Sequence, residues 1–279
     1  GEVLLHRDTV EEQKARAEAH RGQLADAAMR VLMSFLFGAR IARFDLLRAI
    51  AGLATRVTSW DTDCDKGLHR FVCDVHHSKH FRMIGYVGNL PSDVRVNCYA
   101  DADFAGCKKS GKSTTGAHVA LQGTHTCFPL MGVSKKQDAV SASTPEAEIV
   151  AGAWTLRREG LPALDLWDTI LQSSNGMRFR EDNQAMIRVC QTGRNPTMRH
   201  LNRTHGINIC KLKQDLDRDD VDLEYVSTLK QSGYIYMKEF DSAEKLFKAL
   251  ALISIFDPGS MYLQGVQLSH EPFGSGRSR

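Results

Sequence analysis

Hydrophobic residues recur at helical spacing through the first part of the chain. Residues 9–30 are rich in Ala, Glu, Arg and Gln, a helix-forming composition with one charged face. Leu32, Phe35, Leu36, Ile41, Phe44, Leu47, Ile50 and Leu53 carry the helical pattern through 31–58. Leu68, Phe71, Val72 and Val75 predict another helix within 61–80. The period changes after Asn89-Leu90-Pro91-Ser92. Over 94–100, Val94, Val96, Cys98 and Ala100 alternate with Arg95, Asn97 and Tyr99, which predicts a half-buried strand. Alternation returns over 115–121, and Gly123 punctuates a hairpin into 125–131.

Ser143 then opens a helix. Ser143-x-x-Glu146 reads as a capping box, with Pro145 in the first turn, where its missing N–H costs nothing. Gly160-Leu161-Pro162 predicts a break or kink before a second helical segment at 163–172. Residues 177–181 read as a strand and 183–190 as a helix, with a further helix over 205–216. Val221, Leu223 and Tyr225 alternate with Asp222 and Glu224 in a last strand, and 241–256 is amphipathic. The expected fold class is α/β, with a mixed five-stranded sheet flanked by helices and an α-rich segment before it. Three regions follow: a helical segment at 1–90, the α/β domain at 91–256, and a Gly-, Ser- and Arg-containing tail at 257–279 expected to be disordered.

Composition narrows the function classes. Lys plus Arg total 36 and Asp plus Glu 33, a net charge of +3, so bulk charge does not mark a nucleic-acid binder. The longest strongly apolar stretch, 31–37, falls far short of the ~18–20 residues that span a bilayer, so no membrane association is expected. The opening GEVLLHRDTVEEQ carries charges among its first apolar residues and does not read as a signal peptide. Seven cysteines, with no C-x-x-C pair, argue against a disulfide framework or a zinc site and for an intracellular, cytoplasmic or nuclear, protein.

Three acids occupy special places. Asp101 ends the first strand, Glu148 lies one turn into the capped helix, and Asp182 follows the fourth strand. Strand ends are where an open α/β sheet gathers its site. Converging carboxylates repel one another and are tolerated where divalent cations neutralise them, and oxygen-only donors favour Mg²⁺ or Mn²⁺. Asp103 rivals Asp101, and Glu146 rivals Glu148, although capping accounts for Glu146.

Basic charge is local. Residues 107–136 hold five lysines and no acid, and 176–213 hold eight basic residues against Glu181 and Asp182. Such a division suits a phosphate-binding face, offset by the acidic run 215–224.

Six short motifs run in one order: Y99-A-D-A-D-F-A-G106, K112-S-T-T-G116, S134-K-K-Q137, S143-T-P-E-A-E148, E181-D-N-Q-A-M-I187 and L223-E-Y-V-S-T228. Together they closely resemble the RNase H domain of copia-type retrotransposon Pol polyproteins, over roughly 94–240. Ala42-Arg43-Phe44-Asp45 and the 65–80 helix weakly resemble the connection that follows the reverse transcriptase there. The chain has no Y-x-D-D polymerase motif, which reads as a fragment or decayed copy of a longer polyprotein. The resemblance implies an RNase H-like fold that cuts the RNA strand of an RNA–DNA hybrid with two Mg²⁺ (or Mn²⁺) ions. It also implies the reverse transcriptase part of the same polyprotein as a partner.

Carried over by motif, Asp101, Glu148 and Asp182 are catalytic and metal-binding. The candidate nucleic-acid contacts are Lys112, Thr114, Thr115, Lys135, Lys136, Asn183, Arg199, His200 and Arg203. His205 stands in the same Arg/His-rich loop. The family's fourth carboxylate falls in a segment like V-S-T-x-x-Q-x-A-D-I-x-T-K. Here that segment reads V226-S-T-L-K-Q-S-G-Y-I-Y-M-K238, with Tyr234 in the aspartate's place and Asp241 out of register. A phenol is neutral at pH 7 and a poor Mg²⁺ ligand. Two readings therefore stand: a ribonuclease H-type endonuclease, intact or impaired, or a catalytically dead binding or structural module. An integrase-type recombinase on the same fold would place its glutamate last, whereas the acids here run Asp, Glu, Asp.

Overall fold

The computed structural model describes residues 21–259. The helix expected over 9–30 lies partly outside them, as does almost all of the expected 257–279 tail. The chain divides into two compact units, one holding the described residues up to Gly38 together with Ala49–Lys79, the other holding Ala39–Arg48 and the described residues from His80 on.

The first unit is helical, built on most of α1 (Ala25–Ala42), most of α2 (Leu47–Ala54) and all of α3 (Thr62–His77). Leu32, Ile50, Leu68 and Phe71 are buried, and Phe35 meets Phe71 edge-on at 5.1 Å. Asp61 caps α3 by accepting from the Cys64 N–H at 2.8 Å. Asp65 ties the entry chain to this helix, accepting from the Trp60 indole at 2.7 Å and from the backbone N–H of Gln23 and Leu24.

The second unit is an α/β layer structure. Its strands are β1 (Arg82–Met83), β2 (Tyr86–Val87), β3 (Arg95–Asp103), β4 (Thr114–Gly123), β5 (Thr126–Lys136), β6 (Met177–Glu181), β7 (Val221–Tyr225) and β8 (Ile255–Phe256). The main sheet runs β2-β5-β4-β3-β6-β7, while β1 pairs with β8 apart from it. Neighbours from β2 through β3 are antiparallel, and the β3–β6 and β6–β7 pairs are parallel. The five expected strands are present, and β2 adds a two-residue edge too short to show a period.

The helices are α4 (Thr144–Thr155), α5 (Leu161–Leu171), α6 (Gln184–Thr192), α7 (Leu201–Thr204), α8 (Ile209–Leu216) and α9 (Ala243–Leu252). Val96, Cys98 and Ala100 of β3 pack with Ile149, Ala153, Leu156, Leu164, Met177, Phe179 and Met186 in the main core. Gly160-Leu161-Pro162 does not break the chain: a π-helical segment, Leu156–Gly160, carries α4 into α5. Wide turns of this kind absorb an extra residue without ending the helix.

Two expectations need correction. β3 is buried along nearly its whole length rather than on one face, because its second face is covered too. There Tyr99 and His118 pack with Tyr236, whose ring stacks on His118 at 5.9 Å, and Phe44 closes over His118 at 6.4 Å. The first strand also continues past Asp101 to Asp103, paired with β4 as Asp101↔Gly116 and Asp103↔Thr114.

Candidate active site

Register brings the acids together. Tyr99 of β3 lies opposite Arg180 of its parallel neighbour β6, so Asp101 and Asp182, each two residues further on, come off adjacent strands at the same end. The next contribution comes from α4. Its N-cap Ser143 accepts from the Glu146 N–H, which starts the helix so that Glu148 falls in its first turns. Asp101, Asp103, Glu148 and Asp182 line one cleft of about 450 Å³, with Phe104, Thr144, Asn183, Thr228 and Lys238.

These carboxylates act on one another. Burial, then the charge of Asp182, pushes the Asp101 carboxyl up to about 7. Burial, then the charge of Glu181, holds Glu148 far above its usual range. Glu148 Oε2 is buried without a hydrogen-bond partner. Asp182 Oδ2 accepts from the Thr228 hydroxyl at 2.7 Å, which ties it to the loop after β7. Asp103 lines the same cleft, but its Oδ1 accepts from the Thr114 N–H.

Sequence reasoning missed Glu181 as part of this cluster. It is 0% exposed, its Oε1 accepts from the Asn183 N–H at 3.0 Å, and its Oε2 has no partner. Burial first, then the neighbouring acids, hold it well above the ordinary carboxylate range. The signal was in the pattern: Met177, Phe179 and Glu181 share the inward parity of β6, so the alternation itself puts a carboxylate on the core face. Thr228 and Lys238 were also missed.

The segment after β7 closes the site. Gln231 Nε2 donates to the Ala100 carbonyl at 2.9 Å, pinning the 3₁₀ segment Ser232–Tyr236 against β3. This packing needs glycine twice. A Cβ on Gly116 would collide with the Gly233 carbonyl, and one on Gly233 would lie 3.1 Å from Asp101 Cβ. Tyr234 is not among the cleft-lining residues; its ring meets Phe240 at 5.8 Å, and Lys238 Nζ lies 4.5 Å over its face.

Glu146 does more than cap. Its Oε2 accepts from the Ala142 N–H and from His200 Nε2 at 3.1 Å, and its Oε1 accepts from His205 Nε2 at 3.1 Å. The Arg/His-rich loop is thereby tied to the start of the helix that carries Glu148.

The candidate nucleic-acid contacts fall in several places. Asn183 lines the acidic cleft and caps α6, accepting from the Met186 N–H at 3.0 Å. Lys112 Nζ donates to the Asp138 carbonyl, Lys135 pairs with Asp138 at 3.3 Å, and Lys136 Nζ lies 2.9 Å from Cys107 Sγ. Arg199 and Arg203 are exposed, and Arg199 lines a separate cleft of about 410 Å³ with Arg194, Asn202 and Asn208. Thr114 and Thr115 are buried, and the Thr115 hydroxyl accepts from Gln137. As central-strand residues they serve the sheet, and their side chains offer little open surface to a nucleic acid.

Among the described residues, no group of three or more His, Cys, Asp or Glu side chains stands ready-arranged to hold a metal ion. The donor chemistry of the cleft nevertheless fits a hard divalent cation: all its charged donors are carboxylates, and Glu148 Oε2 is buried and uncommitted. All seven cysteines are free, and no described helix is long and apolar enough to cross a membrane.

No family model matches the chain. Among solved structures, RNase H1 from the halophilic archaeon Halobacterium salinarum NRC-1 aligns with a TM-score of 0.34 and 16% identity, covering 49% of this chain and 89% of that one. LC11-RNase H1, isolated from compost by a metagenomic approach, aligns with a TM-score of 0.34 and 14% identity, covering 50% and 88%. A mixed sheet flanked by helices is the α/β architecture that the sequence pattern predicts.

Proposed function

We propose that the second unit is a metal-dependent nuclease domain of copia-type retroelement origin that hydrolyses the RNA strand of RNA–DNA hybrids, impaired by Tyr234. The observation that carries this reading is the meeting of Asp101, Glu148 and Asp182 in one cleft at adjacent strand ends. In this reading these three side chains hold two Mg²⁺ or Mn²⁺ ions. Bound there, the ions would make a water nucleophilic at neutral pH and stabilise the leaving oxygen of a phosphodiester.

The chain's own groups do the rest. Asp101 and Asp182 are fixed by neighbouring strands, and Thr228 orients Asp182. Glu181 is fully buried beside them and accepts from the Asn183 N–H, which fixes the turn that follows β6. Asn183 stands at the cleft's edge within reach of a bound strand, and Arg199 and Arg203 offer guanidinium groups to phosphates. On this reading residues 1–90 are the tail of a reverse transcriptase and connection region, in an intracellular polyprotein.

A second reading, a binding module without catalysis, is favoured by one specific observation: Tyr234 packs on Phe240 and Lys238 instead of adding an acid to the cleft. A labelled RNA–DNA hybrid incubated with the protein and Mn²⁺ separates the two. Cleavage that disappears in Asp182→Asn supports the nuclease. Binding without cleavage, with cleavage appearing in Tyr234→Asp, supports the decayed module. No cleavage by either the parent or Tyr234→Asp would overturn the proposed activity.

A further inference from the structure

The acidic cleft contains one base. Of its lining residues only Lys238 is cationic, and it faces Asp101, Asp103, Glu148 and Asp182. Its position is built rather than incidental. Arg48 Nε donates to the Met237 carbonyl at 2.9 Å, fixing the residue before it. The Lys238 N–H donates to the Tyr234 carbonyl, one turn back, so the side chain lies over the Tyr234 ring. Edge contact with Phe240 steadies that ring in turn. Among the described residues Lys238 makes no ion pair within 4.0 Å. Its charge is therefore not neutralised locally, and its field reaches both Asp101 and Asp103.

We propose that Lys238 is a resident counter-cation of this cleft, held by the Tyr234 ring, that competes with divalent cations for the field of Asp101 and its neighbours. The proposal rests on the reading of the cleft as a cation site. Tyr234 then has two effects where an aspartate would have one. It withholds a carboxylate, and it presents an aromatic face that keeps an ammonium beside the acids instead of pairing with it and cancelling its charge. A cation approaching the carboxylates meets this repulsion at short range, where salt screens it little.

The test is Mn²⁺ binding, followed by calorimetry or electron paramagnetic resonance on the full chain without nucleic acid. Lys238→Met should bind Mn²⁺ roughly tenfold more tightly than the parent, on the order of one unit charge removed near a part-exposed site. Lys238→Arg keeps the charge and should stay close to the parent. Adding Asp101→Asn to Lys238→Met should abolish the gain. Lys238 is exposed, so its truncation leaves the fold intact, and circular dichroism checks this. Equal affinities for parent and Lys238→Met would overturn the counter-cation role while leaving the cation site standing. A gain that survives Asp101→Asn would place the binding elsewhere and overturn the role as well. Absence of Mn²⁺ binding in every variant would overturn both the cation site and the role built on it.

Discussion

Glu146 Oε1 and His205 Nε2 meet 3.1 Å apart with side chains only 3% and 2% exposed, which joins the start of α4 to the loop before α8. The same carboxylate holds the more open His200 through its other oxygen. Removing it would strand a buried ring N–H, at a cost of about 1–3 kcal/mol. Glu146→Ala should lower unfolding free energy in urea by that amount and weaken binding of an RNA–DNA hybrid, because Arg199 and Arg203 flank His200. A change below about 0.5 kcal/mol, the scale of ordinary surface substitutions, would show that the contact does not hold the loop.

Stability should depend on pH through the acidic cleft. Burial first, and the Asp182 charge second, lift the Asp101 carboxyl from 3.8 to about 7. An acid with a raised folded-state pKa binds more protons when folded, so its stabilisation is complete below pH 3.8 and is lost as pH rises through about 7. The melting temperature of the metal-free protein should therefore fall between pH 5 and pH 8. Asp101→Asn should flatten that slope and raise the melting temperature at pH 8. An unchanged slope in the variant would contradict the electrostatic coupling.

Much of this arrangement is legible in the sequence. Period-two alternation marks β6 because it has one face in the core, and Ser143 marks α4 because a hydroxyl cap satisfies its first N–H groups; in β7 Val221 is buried but Tyr225, of the same parity, is exposed. Asp182 is readable as a site residue because it follows β6, and Asp101 because it lies near the end of the first strand. Other features depend on contacts between distant parts of the chain. Glu146 meets His200 and His205 across 54 and 59 residues, so local pattern shows only its capping role. Tyr234 and Lys238 meet through an irregular 3₁₀ turn with no period of its own. The burial of Thr114 and Thr115 follows from their place in a central strand covered on both faces, which motif matching does not reveal.

Cys107 should be the most reactive thiol at neutral pH. A hydrogen bond from Lys136, then one from Ser110, draws its thiol down to about 6, whereas burial pushes Cys98 and Cys190 up. The thiolate is the nucleophile, so iodoacetamide labelling of Cys107 should be fast at pH 7.5 and slow as pH falls below about 6. Lys136→Met should slow the labelling at pH 7. Peptide mapping by mass spectrometry checks both, and equal labelling of Cys107 and Cys190 in the folded protein would contradict the environment described.

The central claim is that Asp101, Glu148 and Asp182 form one cation site. Crystals soaked in Mn²⁺ test it most directly, through the anomalous difference map. The account predicts an anomalous peak bonded to oxygens of these three side chains, present in the parent and lost in Asp101→Asn. A map with manganese bound elsewhere, or with no peak between these carboxylates at millimolar Mn²⁺, would contradict it.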